Sequence, residues 1–329
     1  MGSLDIRTTL DLSDIHADLT VPFESLPIQT ITGEIRGRRG CRCKIVCKEK
    51  PTHRGGQGII REGFREVGSE QHHIVVKSPI DPALSLTTEA IIQWLAAATL
   101  ERRCGIVGAV PRVHDLYQAG DETRFSMEFV GGLSAIEYIA TAPMGEADGR
   151  MFQILAQTAV LLSALQRYLR LDHRDLKGDN IWIRPGRPVN YTVDLADGSR
   201  WQLEAPFQVV ILDFGFACIG GVDGRAIVNL SDGILPRIDP CPKEGRDMFQ
   251  LLASFWHMRC VRERISAAGA TAVEGLLGSK ANQAATAEDL RWAYNDASER
   301  GFRWPPLEPA RLLKRLADNW KGVGVLHRL

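Results

Sequence analysis

The chain has 329 residues, of which 44% are hydrophobic and 24% charged, so it can bury the core of one large or two modest domains. Lysine plus arginine equals aspartate plus glutamate at 40 each, which excludes an overall field that attracts nucleic acid or an anionic membrane. With no signal core and no apolar run near the roughly 20 residues of a membrane span, we expect an intracellular protein, cytoplasmic or nuclear, with its seven cysteines reduced.

The first third of the chain is rich in strand-like segments. Residues 1–40 have no clear period, and we expect them to be an N-terminal extension. Short runs of alternating apolar residues follow and are interrupted by a glycine-rich segment, RGGQG at 54–58. An apolar run over 90–100, preceded by two threonines, predicts a capped helix. The sequence therefore predicts a β-rich domain over 41–130.

The rest of the chain is mostly helical in its pattern. A stretch at 185–207 resembles an inserted hairpin closed by an Asp-Gly turn. A glycine pair at 131–132 marks the change of character and predicts a second, larger domain over 131–329. Its helices are predicted where apolar residues recur at helical spacing, over 151–171, 247–261, 284–297 and 309–320.

The most informative motif is HRDLKGDN at 173–180, followed 33 residues after Asn180 by Asp213-Phe-Gly at the end of an apolar run. These segments resemble the catalytic loop and metal-binding tripeptide of eukaryotic-type protein kinases, and the resemblance covers roughly residues 41–320. It implies an α+β, bilobal protein-kinase-like fold with a small β-rich N-lobe and a larger α-helical C-lobe. The implied activity is that of a serine/threonine protein kinase that uses ATP and Mg²⁺.

Phosphoryl transfer suits these residue types because it depends on positioning and charge neutralisation more than on covalent chemistry. The resemblance implies that Asp175 orients the acceptor hydroxyl and that Lys177 contacts the γ-phosphate. It implies Asn180 and Asp213 as ligands of Mg²⁺, an ion that prefers oxygen donors. His173 is implied to be structural and not a base.

The same resemblance assigns a nucleotide site. Gly55 and Gly58 are expected to bring backbone amides close to phosphate, because glycine permits close approach. Lys77 is expected to hold the α- and β-phosphates, and Glu89 to orient Lys77. The residues expected to line the adenine site are Ile60, Val75, Met127, Glu128, Val130 and Trp182.

The segment before Asp247 departs from the family pattern. It lacks the family's Ala-Pro-Glu and contains a single hydroxyl residue, Ser231. Arg174 is therefore expected to pair with a fixed acid, Asp223 or Asp232, instead of a phosphorylated residue. Asp247 resembles the aspartate that tethers the catalytic loop in the family, and an ordinary helix N-cap is the alternative.

Three local alternatives stay open. The glycines of 37–40 compete with Gly55 and Gly58 as the phosphate-binding loop. Glu101 is a second candidate partner for Lys77. The cysteines of 41–47 with His53 could hold a metal ion, although their spacing lacks a Cys-x-x-Cys pair.

Two other functions compete with an active protein kinase. Trp182 stands where leucine is common in the family, and an indole that fills the place of the purine would leave a pseudokinase scaffold. A small-molecule kinase of the same fold is the second competitor, and Lys177 and Phe214-Gly215 disfavour it. The 185–207 insertion is similar to insertions in kinases of large DNA viruses. We expect ATP and protein substrates as partners, and neither nucleic acid nor a membrane.

Overall fold

The computed structural model describes residues 34–36, 42–55, 58–195, 198–221, 224–231, 240–278, 307–319 and 325–329. Across these residues the chain is α+β, with strands dominating the first part and helices the rest. It divides into two compact units: the first unit comprises residues 1–95 and 111–129, and the second comprises residues 96–110 and 130–329.

The first unit is built on one antiparallel seven-stranded sheet, ordered β1-β2-β4-β5-β7-β6 with β3 paired to β4. Side chains alternate across it, so Ile74 and Val76 are buried on the same face of one strand. The strands are β1 (Glu34–Arg36), β2 (Arg42–Cys47), β3 (His53–Arg54), β4 (Gly58–Val67), β5 (Glu70–Pro79), β6 (Val113–Ala119) and β7 (Glu122–Glu128).

Helix α1 (Thr87–Cys104) begins in the first unit and ends in the second. Glu89 lies in its first turn and two arginines in its last, which complements the helix dipole. The start of the helix packs on the sheet of the first unit through Leu86 and Ala90, which form a buried cluster with Phe125. This packing places Glu89 on the same side of the sheet as the end of β5.

The second unit contains six further helices among the described residues and two small sheets, ordered β14-β11-β10-β8 and β13-β12-β9. The helices are α2 (Ala135–Ala140), α3 (Ala147–Leu169), α4 (Arg246–His257), α5 (Arg259–Arg262), α6 (Ala267–Leu277) and α7 (Pro309–Asn319). The strands are β8 (Leu133–Ser134), β9 (Leu171–Asp172), β10 (Ile181–Asp194), β11 (Arg200–Ile211), β12 (Cys218–Gly220), β13 (Ala226–Asn229) and β14 (Val325–Arg328).

Helix α3 forms the centre of the second unit. It is apolar on nearly all sides and is buried along most of its length, as expected for a central core helix. Gln157 on this helix donates to the Phe207 carbonyl at 3.1 Å and accepts from the Val209 amide at 3.0 Å. These bonds fix the backbone of β11, the strand that leads to Asp213.

The described elements agree with most of the predicted strands and helices. The helix predicted over 247–261 is interrupted at Met258, whose backbone is extended, so that α4 and α5 are separate. The strand pairing of the hairpin predicted within 185–207 is confirmed, since Tyr191 pairs with Leu203 and Asp194 with Arg200, and these strands are continuous with the rest of β10 and β11. The helix predicted over 284–297 lies outside the described residues.

The cysteine prediction was wrong for one pair. Cys218 on β12 and Cys241 form a disulfide, and both residues are fully buried. Cys47, Cys104 and Cys260 are free thiols. None of the helices in the described parts of the chain has the length and apolar character that crossing a membrane requires.

Candidate functional site

The loop that follows β9 places three of the predicted catalytic and metal-binding residues side by side. Asn180 Nδ2 donates to the Asp175 carbonyl at 2.8 Å and to Asp175 Oδ2 at 3.2 Å. Lys177 Nζ donates to the same Oδ2 at 3.1 Å. Because Nδ2 of Asn180 makes these bonds, its amide oxygen faces away from Asp175. A carboxylate, an ammonium group and an amide oxygen are thus held in one loop.

The strand pair β10–β11 brings Asp213 to this loop. Ile181 and Ile211 face each other in the pair, and the Leu212 amide donates to the Asn180 carbonyl at 2.8 Å. Asp213 follows directly and caps its own turn, since Oδ1 accepts from the Gly215 amide at 3.3 Å. The structure therefore places Asn180 and Asp213, the two predicted metal ligands, on neighbouring backbone segments.

Two residues of the site have unusual backbone conformations. Arg174 has φ 67° and Asp213 has φ 61°, in the left-handed region that L-residues with a β-carbon seldom adopt. Each such residue costs about 1–3 kcal/mol and persists where the surroundings fix it, commonly at functional sites. Arg174 directly precedes Asp175, and Asp213 is itself a predicted metal ligand.

Helix α4 holds the backbone of the loop through side chains on one face. Asp247 accepts from the amides of His173 and Arg174, both at 2.8 Å. Side chains in the next turns of the helix accept two further hydrogen bonds. The Leu176 amide donates to Gln250 Oε1 at 3.3 Å, and the Gly178 amide donates to Ser254 Oγ at 2.9 Å. Asp247 is thus a tether, and the N-cap position of the helix is occupied by Gly245.

Sequence reasoning identified Asp247 but missed Gln250 and Ser254. The signal was present, because positions 247, 250 and 254 have the i, i+3, i+7 spacing of one helical face in an otherwise apolar helix. Gly178 is also required, since a β-carbon there would clash with the side chain of Ile136.

The charged groups behind the loop are fully desolvated. Burial raises the pKa of Asp172 to about 7, and the neighbouring Asp247 carboxylate adds to this effect while Arg246 and Arg174 oppose it. Burial also raises the pKa of Asp247, against the hydrogen bonds from the His173 and Arg174 amides. Burial lowers the pKa of His173, whose Nε2 lies 2.9 Å from the Leu212 carbonyl. His173 is thus buried and bonded to the backbone next to Asp213, where the predicted structural role places it among backbone partners.

Arg174 contacts polar neighbours near the end of β13. Its Nη1 donates to Asn229 Oδ1 and to Ser231 Oγ, both at 2.7 Å, and Ser231 is fully buried. The acids expected to pair with it, Asp223 and Asp232, lie outside the described residues. The guanidinium is thus held by a hydroxyl and an amide of the unmodified chain.

In the first unit, Lys77 and Glu89 form a buried ion pair, with Nζ and Oε1 2.5 Å apart and exposed fractions of 5% and 3%. The predicted contact between these residues is confirmed. Gly58 lies against the lysine, because a β-carbon there would be 2.7 Å from Lys77 Cε. Gln93, one turn further along α1 than Glu89, is buried and donates to the Pro111 carbonyl at 2.9 Å.

The other residues predicted for the nucleotide site in the first unit lie on the glycine loop and on strands β4, β5 and β7. Gly55 and Gly58 are bridged by a backbone hydrogen bond of 2.9 Å, and Ile60 faces Lys77 across the β4–β5 pair. Val75 faces Met127 across the β5–β7 pair.

The remaining residues predicted for the adenine site divide between the units. Glu128 in the first unit donates its amide to the Arg112 carbonyl at 2.8 Å, so this amide is already bonded within the protein. Val130 and Trp182 belong to the second unit. Trp182 is half-buried on β10, and its Nε1 is buried without a hydrogen-bond partner in the described structure.

Within the described ranges, Asn180 and Asp213 are the candidates for metal binding. Among the described residues, no cluster of three or more His, Cys, Asp or Glu side chains could hold a metal ion by itself. Asn180 and Asp213 offer oxygen donors, which fit Mg²⁺ when phosphate oxygens complete its coordination. The side chains of Cys41 and Cys43, considered above with His53, are outside the described residues.

The chain matches no protein-family model, and a search of curated proteins finds no match.

Proposed function

We propose that this chain is a serine/threonine protein kinase that transfers the γ-phosphate of ATP to protein hydroxyls with Mg²⁺. The first unit would be the small β-rich lobe and the second unit the larger helical lobe of a bilobal protein-kinase-like fold. One observation carries the proposal: the second unit places Asp175, Lys177, Asn180 and Asp213 on two adjoining backbone segments.

Asp175 would orient the acceptor hydroxyl by accepting its hydrogen bond. Its carboxylate is held by charge-assisted and amide hydrogen bonds from Lys177 and Asn180, so it does not have to reorganise during transfer. Lys177 keeps about a third of its side chain exposed, which leaves its ammonium group accessible to a phosphoryl group next to the aspartate. These two residues would supply position and charge.

Asn180 and Asp213 would hold Mg²⁺ through their oxygens. The ion, when bound, neutralises phosphate charge and orients the transferring group. In the first unit, Lys77 would contact the α- and β-phosphates, with Glu89 fixing its ammonium group. Gly58 supports this role because it packs directly against the lysine.

The second candidate function is a nucleotide-binding scaffold without transfer activity, a pseudokinase. Trp182 favours it, since a bulky indole takes a position expected to be slim in the family. The four proposed catalytic and metal-binding residues oppose it, because degenerate kinases usually lose at least one. Nucleotide binding without phosphate transfer would select this candidate.

The experiment compares Asp175→Asn and Asp213→Asn with the matched control Asp179→Asn, which changes an exposed carboxylate of the same loop. Phosphate transfer from γ-labelled ATP to a generic protein substrate is measured with Mg²⁺. We expect the first two variants to lower kcat by about 10²–10⁴-fold and the control to retain wild-type turnover. Wild-type turnover in Asp175→Asn would overturn the proposed role of this loop.

A further inference from the structure

A buried ion pair lies directly behind the catalytic loop and has no role in the function proposed above. Arg246 Nη1 lies 3.3 Å from Asp172 Oδ2, and both side chains are fully buried. Asp172 precedes the His173–Asn180 motif, and Arg246 opens helix α4. The two residues are 74 positions apart in the chain.

The pair belongs to a group of four ionisable side chains, Asp172, Arg174, Arg246 and Asp247. Asp172 Oδ2 also lies 3.9 Å from Arg174 Nε and accepts from the Lys243 amide at 3.2 Å. Asp247, next to Arg246 on the helix, binds the amides of His173 and Arg174. Two carboxylates and two guanidinium groups therefore cluster at one short backbone segment, whose amides at His173 and Arg174 are bonded by Asp247.

Stability alone is a weak reason for such a group. Replacing a buried ion pair with apolar residues of similar volume is often neutral or stabilising, because desolvation offsets the attraction. The segment that the group holds includes Arg174, whose left-handed backbone sets the direction of the chain into Asp175. A group that fixes this conformation fixes the carboxylate of Asp175.

We propose that Asp172 and Arg246 are positioning residues that hold Asp175 in the geometry for phosphoryl transfer. The proposal rests on the kinase function proposed above. Neither side chain needs to touch the reactants, because both act through the backbone of residues 172–175.

The protonation of Asp172 provides a separate test of the proposal. Asp172 faces Asp247, Arg246, Arg174, His173 and the Lys243 amide, and its pKa is raised to about 7. Asparagine resembles the protonated aspartate in shape and charge. At about pH 8 the Asp172→Asn substitution should therefore remove an ionised partner of Arg246, whereas at about pH 6 it should change little.

The experiment measures kcat, the KM for ATP and amide hydrogen exchange in Asp172→Asn, Arg246→Met and the double variant. We expect each single variant at pH 8 to lower kcat by about 10²-fold with an unchanged KM for ATP, since small misplacements have effects of this size. The amides of His173 and Arg174 should exchange faster, and the ratio of wild-type to Asp172→Asn kcat should shrink toward pH 6. Arg259→Met, at a highly exposed ion pair, is the control and should resemble wild type.

The double variant leaves no unpaired buried charge from this pair, so it keeps the test valid if a single variant fails to fold. We expect it to fold with a reduced kcat, and wild-type kcat in it would overturn the positioning role. Wild-type exchange at residues 173 and 174 in the variants would overturn it as well. If the wild-type protein transfers no phosphate, the kinase proposal fails, and the exchange of these two amides alone decides the role of the pair.

Discussion

The Lys77–Glu89 pair shows how burial changes the meaning of a predicted contact. Sequence reasoning paired the residues across 12 positions by resemblance to a kinase pattern. The structure adds that both groups are almost completely removed from water. The pair is therefore a feature of stability as well as a candidate phosphate-binding group.

We predict that Lys77→Met and Glu89→Gln each lower the free energy of unfolding by about 3–5 kcal/mol, because each removes the ion-pair partner of a buried charge. The double variant Lys77→Met/Glu89→Leu should lose less free energy of unfolding than either single variant. Urea unfolding measures all three free energies. Lys48→Met, at a surface pair with Glu62, is the control and should change stability by less than about 1 kcal/mol. A Lys77→Met effect as small as that of the control would show that the pair is not effectively buried.

Single residues were predictable where they belong to a motif. The side chains of Asp175, Lys177, Asn180 and Asp213 lie on adjoining segments, as the two sequence segments suggested. Gln93 was not predictable as a buried residue, because its partner is a carbonyl on the loop before β6. A polar side chain in a core position can be recognised only when the acceptor that satisfies it is known.

Long-range links between elements explain most of what the sequence did not predict. Asp172 and Arg246 lie on β9 and α4, and the disulfide joins β12 to the segment before α4. Cysteine pairing depends on which strands become neighbours, and an odd number of cysteines favoured free thiols. Helix and strand positions were predictable because they depend on local periodicity.

The disulfide between Cys218 and Cys241 closes a loop across a sequence separation of 23. We predict that the Cys218→Ala/Cys241→Ala variant has a free energy of unfolding about 3 kcal/mol below wild type, since a link across such a loop restricts the unfolded chain. Urea unfolding without reductant should show this difference, and a dithiol reductant should remove it. Cys260→Ser, at an exposed free thiol, should behave as wild type under both conditions. Equal stability of the alanine variant and wild type without reductant would mean that the two thiols are not joined.

At the scale of the molecule, the predicted change of character near residue 131 coincides with the start of the second unit's main segment at Val130. Residues 96–110, placed in the first domain by the sequence pattern, are grouped with the second unit. The amide of Ile211 donates to the carbonyl of Ala109, which shows why a segment between two elements of the first unit belongs to the second. Composition along the chain cannot reveal such a bond.

The free energy of unfolding should depend on pH through the titration of Asp172. Its pKa is about 7 in the folded chain and about 3.9 in an unfolded chain, so between these values the folded state holds the extra proton. Asp172 therefore adds to the free energy of unfolding below about pH 4, and this contribution is lost as the pH rises through 7. Buried His173 acts in the opposite direction, because its lowered pKa removes stability as the pH falls below about 6.5.

We predict that the difference in unfolding free energy between wild type and Asp172→Asn falls as the pH rises from about 4 to 7 and is constant above that range. The subtraction isolates the terms that depend on the Asp172 carboxylate, including its effects on the pKa of His173 and of Asp247. Urea unfolding at several pH values measures the difference. Parallel stability curves for the two proteins would contradict a raised pKa at Asp172.

The central claim is that the loop of Asp175 and the turn of Asp213 form the site at which phosphate is transferred from ATP to protein. Its most direct test is the incorporation of label from γ-labelled ATP into a generic protein substrate by the wild-type chain, with and without Mg²⁺. The account predicts incorporation at serine and threonine that requires Mg²⁺. Binding of ATP and Mg²⁺ with no incorporation into any protein would contradict it.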